Sequence, residues 1–154
     1  MTARPGPTNP NFMDFALTPL LWLHVLGNFV WIGSILAVSV VILARAGDPK
    51  TRGELALAIY KRLAVPSFLV SFVCGAIRLG LAPHYYLVEH HWMHPKLTFA
   101  VVVIGLHHVI GARAKKLARG TVQDSGPTAI LAMVLLVSAA AAAFFAIFSS
   151  KLTF

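Results

Sequence analysis

The sequence contains a single cysteine, Cys74, among 154 residues. An internal disulfide and a cysteine metal cage are both excluded. Acids are almost as scarce: five Asp+Glu face 13 Lys+Arg, for a formal net charge of +8. Charged residues make up only 12% of the chain and hydrophobic ones 58%, with a mean hydropathy of +0.77. A water-soluble domain this small needs more polar surface, so the composition points to a membrane. In water, such a basic chain would suggest nucleic acid. Here the basic residues sit mostly between apolar runs, which fits a membrane surface and leaves no role for nucleic acid. Period-2 alternation does not recur, which argues against a β-barrel.

What is present is four long apolar segments, at about 17–44, 63–81, 94–113 and 128–148. Each approaches the ~20 residues that a spanning helix needs. Lipid offers the backbone no partners, so the segments must be helices. The expectation is an all-α, four-helix transmembrane bundle over 17–154, preceded by an irregular segment over 1–16, where MTARPGPTNPNF is rich in proline. That leader has no cleavage site after it and does not read as a signal peptide.

Arg45, Lys50, Arg52, Lys61 and Arg62 lie between the first and second segments. Arg113, Lys115, Lys116 and Arg119 lie between the third and fourth. The positive-inside rule puts both groups in the cytoplasm and both termini outside, as in a bacterial inner membrane. The segment PHYYLVEHHWMHP then lies outside, with Tyr85, Tyr86 and Trp92 as interfacial anchors. Close helix approach is expected at Gly27, Gly33, Gly75, Gly80, Gly105 and Gly111, and along Ser138 to Ala143.

Seven histidines accompany the five acids. His24, His107 and His108 fall inside apolar segments, where an ionisable residue is costly and faces a bundle interior or a cofactor. Imidazoles on facing membrane helices suit haem b. His107 lies eleven residues after Lys96, close to three turns, so the two share a face with Val103 and Gly111. His108 is turned by ~100° and is the weaker candidate. On the first segment His24, Gly27, Asn28 and Trp31 form one stripe, with Trp31 placed to wall a flat ligand. His24 and His107 are the leading iron-ligand candidates. Their depths differ by several ångströms unless the first helix begins near Phe12, so His24 pairing with His91 or His94, or ligating alone, stays open. Arg78 and Lys96 join His24 in a cationic rim suited to haem propionates or to a carboxylated porphyrin. Glu89, His90, His91 and His94 have spacings that would take copper or zinc. They do not form the H-E-x-x-H pattern of metalloproteases.

The order HVLGNFVWIG, then IYKRLAVPSFLVSFVCG, then HWMHPKLTFAVVVIGLHHVIGARAKKLARG resembles the HemJ-type protoporphyrinogen IX oxidases from Trp22 to Gly120. It also resembles the wider CopD-like set of small membrane proteins. The block carrying most of the likeness is Trp92, Lys96, Leu97, His107, Gly111 and Arg113. The resemblance implies a four-helix haem-b protein that oxidises protoporphyrinogen IX and passes electrons to quinone. His24 corresponds to the family's first-helix histidine, Lys96 to its third-helix lysine and His107 to its third-helix histidine. Where the family carries a Pro-Arg pair and a further histidine, this chain reads ILAVSVVILAR, and Leu106 stands where a tyrosine is common. The expectation is therefore haem-based electron transfer in the membrane, quinone-linked or as a subunit of a larger complex or homo-oligomer. The alternatives are porphyrin oxidation, CopD-like copper transport and a structural accessory subunit.

Overall fold

The computed structural model describes residues 10–148, with side chains described from Leu17 onward. Five α-helices follow one another: α1 (Pro10–Leu43), α2 (Pro49–Ile59), α3 (Val65–Leu81), α4 (Met93–Ala118) and α5 (Thr128–Ile147). Helix α2, a π-helical turn (Tyr60–Ala64) and α3 run on as one rod, Pro49–Leu81, so the described residues hold four helices long and apolar enough to cross a membrane. The described residues contain no strand. The four-helix membrane bundle expected from the sequence is the architecture observed.

The boundaries differ from expectation in two places. α1 begins at Pro10, so residues 10–16 are helical rather than irregular, and residues 1–9 lie outside the described part. The second rod begins at Pro49 rather than near Leu63. The sequence GDPKT explains that start. Gly47 takes φ +83°, Asp48 caps the helix by accepting the Thr51 amide N–H at 3.0 Å, and Pro49 opens the first turn. This bond holds the Asp48 carboxyl below its usual pKa. Arg52 then donates to the Ile42 carbonyl at 3.3 Å, satisfying one of the last carbonyls of α1.

The π turn has a chemical cause. Pro66 has no N–H to give the preceding turn. The Val65 N–H bonds instead to the Tyr60 carbonyl five residues back. The rod changes partners there: α2 packs on α4 and α1, while α3 packs chiefly on α1. α5 lies against α4 and α1.

The core is one stripe from α1 (Trp31, Ile35, Val38, Ile42) meeting one from α4 (Val103, Ile110, Ala114, Leu117), with Ala56, Ala64 and Leu135 at its edges. Large apolar side chains elsewhere face outward, among them Trp22, Phe29 and Val40, as a lipid-facing surface requires. Gly27, Gly53, Gly75 and Gly111 sit at helix contacts where a Cβ would collide with the neighbouring helix. Gly33, Gly80 and Gly105, expected in the same role, have open space around them. Gly126, at φ +46°, folds the α4–α5 loop over the guanidinium of Arg113, which pairs with Asp124 and donates to Thr128 Oγ1.

Candidate functional site

Two clusters of hydrogen-bonded polar side chains stand within the spans. The first lies between α1 and α3. His24 Nδ1 lies 2.8 Å from the backbone carbonyl of Ser71. A carbonyl only accepts, so Nδ1 carries the proton and Nε2 presents its lone pair. Asn28 Nδ2 donates to that Nε2 at 3.2 Å, and the Ser71 hydroxyl donates to Asn28 Oδ1 at 2.8 Å. The ring reaches the Ser71 carbonyl because Gly75, one turn further on, has no side chain: a Cβ there would lie 2.8 Å from the imidazole. The charges of Lys96 and Arg78 act on His24, and Arg78 also acts on Lys96. The three residues of the expected cationic rim are thus coupled through their charges, with no hydrogen bond joining them among the described residues. Arg78 donates to the Leu17 carbonyl at 2.8 Å and to Tyr86 Oη at 3.0 Å, fastening α3 to α1 and to the α3–α4 connection. Lys96 Nζ stands 5.7 Å from the ring centre of Trp92. No acid pairs with either cation among the described residues.

The second cluster surrounds His107, which is fully buried in α4. Trp31 Nε1 donates to His107 Nδ1 at 2.9 Å. An indole N–H only donates, so Nδ1 must accept and the neutral ring carries its proton on Nε2. That proton goes to Tyr60 Oη at 3.2 Å. Phe68 stacks on the imidazole with centroids 5.1 Å apart, and Trp31 packs against Phe68 at 4.9 Å. His108 points away and is exposed, as the helical phase implies. Trp31, expected to wall a ligand, is a hydrogen-bond donor to His107.

The two clusters differ in their fitness for haem iron. A metal-bound histidine gives its second N–H to an acceptor and offers the other nitrogen to the metal. His24 has that arrangement, with Asn28 as a long, displaceable partner on Nε2. Arg78 and Lys96 supply the charge that propionates require. His107 does not fit: Nδ1 is covered by an indole, and Nε2 bears the proton and faces Tyr60. Trp31, seven residues after His24, touches His107, so the two imidazoles differ in depth by about 10 Å along α1. They cannot share one iron in this arrangement.

The histidines between α3 and α4 stay apart. His84 pairs with Glu89 at 3.0 Å, and His90 packs edge-on against Tyr85. His91 and His94 stack with ring centres 6.3 Å apart. Among the described residues no three His, Cys, Asp or Glu converge as metal ligands.

Sequence reasoning did not single out Tyr60, Phe68 or Ser71. Tyr60 precedes Lys61 and Arg62, which made the stretch read as a loop. Ser71 and Gly75 form a small-x-x-x-small pair, the signal that would have exposed the α1 contact. Comparison with protein-family models, curated proteins and solved structures returned no match.

Proposed function

We propose that the chain is an integral-membrane haem-b redox protein of a bacterial inner membrane, with its basic ends in the cytoplasm. His24 Nε2 is the iron-ligating nitrogen, and Lys96 and Arg78 hold the propionates. The observation that supports the reading is the His24 geometry: a ring fixed by the Ser71 carbonyl and an accepting Nε2, with the charges of Lys96 and Arg78 acting on it and no acid paired with either among the described residues. Haem b supplies a one-electron couple when bound. The protein's own part is to fix the tautomer through Ser71, to clear the ring's path through Gly75, and to neutralise carboxylates through Lys96 and Arg78. Electron transfer to a quinone or within a larger complex is favoured over porphyrin oxidation, because the Pro-Arg pair of the HemJ pattern is absent.

The experiment is a pyridine haemochrome spectrum of the purified chain. A b-type band present in wild type and in His107→Ala, and lost in His24→Ala, supports the proposal. The second reading, a structural accessory subunit, rests on the observation that every nitrogen of His24 and His107 has a partner inside the protein. No haem in the wild-type protein selects it.

A further inference from the structure

Lys61 and Arg62 stand side by side in the π turn of the second rod, and both are exposed. Neither side chain has a hydrogen bond or an acid partner among the described residues. Two other cations of this end are engaged: Arg52 donates to the Ile42 carbonyl, and Arg113 pairs with Asp124. The only acid of the rod, Glu54, lies two turns before the pair, ~10 Å along the axis. Exposed apolar side chains continue along the rod to either side, with Leu55 before the pair and Leu63 and Leu69 after it. The two cations therefore interrupt a lipid-facing wall, set back from the basic helix ends.

Helix lengths give their depth. The 17 residues of α3 rise ~26 Å beyond the turn, close to the ~30 Å of a hydrocarbon core. The 20-residue α5 rises ~30 Å. It begins at Thr128, which accepts from Arg113, and Arg113 follows two places after Gly111, where Tyr60 packs. Both spans thus meet the phosphate level of one leaflet near the height of Lys61 and Arg62. Helix α2, ~16 Å long, continues past that level.

We propose that Lys61 and Arg62 form a binding site for one net-anionic phospholipid, gripping its phosphate while its acyl chains lie along the exposed apolar side of α3 (Leu69, Val70, Phe72 and Val73). Three requirements select the class. The ligand must be anionic, because two cations lie side by side without a partner. It must present paired oxygens, since a guanidinium grips a phosphate with a planar fork and an ammonium adds a point charge. It must carry long apolar chains, because the wall beyond the pair faces hydrocarbon. A zwitterionic lipid brings its own cation, and no acid beside the pair receives it. The proposal concerns the Lys61–Arg62 face and stands independently of haem at His24.

The test is native mass spectrometry of the full chain, stripped of lipid in detergent and titrated with phosphatidylglycerol or with phosphatidylcholine of the same acyl chains. Saturable binding of one phosphatidylglycerol is expected, with phosphatidylcholine much weaker. Lys61→Ala and Arg62→Ala should each weaken the Kd about fivefold, and the pair together about thirtyfold. Lys115→Ala with Lys116→Ala removes the same charge from an exposed stretch of α4 and should leave the Kd unchanged. The proposal is overturned if that control weakens binding as much, which would make net charge the cause. It is equally overturned if phosphatidylcholine binds as well as phosphatidylglycerol, or if millimolar inorganic phosphate displaces the lipid and so takes the site as a free anion. Should the alanine pair fail to fold, Lys61→Gln with Arg62→Gln, which keeps long polar side chains, decides in its place.

Discussion

Trp31 and His107, 76 positions apart on α1 and α4, share a buried hydrogen bond of 2.9 Å in which the indole can only give and the imidazole can only take. This one contact fixes the tautomer of His107 and turns its Nε2 proton toward Tyr60. Trp31→Phe should keep most of the packing against Phe68 while leaving His107 Nδ1 buried without a donor. A loss of about 1–3 kcal/mol is expected, read as a lower melting temperature of the detergent-solubilised protein. An unchanged melt would show that the bond contributes nothing net.

Gly75→Ala should disturb His24 rather than the helix that carries it. The added methyl would stand 2.8 Å from the imidazole, closer than real side chains pack. The ring must leave the Ser71 carbonyl. Overpacking of this kind costs about 1–3 kcal/mol. If haem binds at His24, its absorbance should fall in parallel. Gly80→Ala, with open space around it, should leave both melt and spectrum unchanged.

Ser71→Ala removes the hydroxyl that orients Asn28 but keeps the carbonyl that holds His24. Interhelical polar contacts in bilayers average about 0.6 and reach about 1.7 kcal/mol, so a loss within that range is expected. A destabilisation well beyond it would mean that the whole His24–Asn28–Ser71 ring acts as one unit, which a double variant with Asn28→Ala would test.

Asp48 gives the basic end a pH response. Its carboxyl is held low, first by the Thr51 amide, so its contribution is complete above the ordinary carboxylate pKa of about 4. That contribution disappears as the pH falls through the lowered folded value. Local amide exchange at the start of α2 should therefore speed up in acid, with no change between pH 6 and 8. Asp48→Asn, still able to cap, should flatten the acid response.

Cys74, buried on α3, should resist alkylation in the folded protein and react on unfolding. Its labelling rate then reports the stability of every variant above without an added probe.

The membrane spans were legible because lipid leaves a chain little freedom: long apolar runs become helices, and the basic residues between them mark the ends. The phase of α4 was legible for the same reason, since a single step of ~100° separates buried His107 from exposed His108. The stripe of His24, Gly27, Asn28 and Trp31 does face the bundle, though two different clusters divide it. The second rod was the harder part. Lys61 and Arg62 resemble a loop when charge is counted along the chain, but on a helix they project outward beside an inward Tyr60. Haem ligation by His107 looked sound from spacing. What spacing cannot carry is hydrogen-bond direction, and here an indole N–H stands opposite the imidazole Nδ1.

The π turn has a consequence for the length of the chain. It spends one residue more per turn than an α-helix, so α2 and α3 are held out of phase with each other. Deleting a single residue between Tyr60 and Ala64 would restore regular winding and swing everything beyond it by ~100°. Ser71 and Gly75 would then turn away from His24, while the apolar run itself remained as long and as greasy as before. A homologue could thus keep its hydropathy profile through such a deletion and still lose both clusters at once.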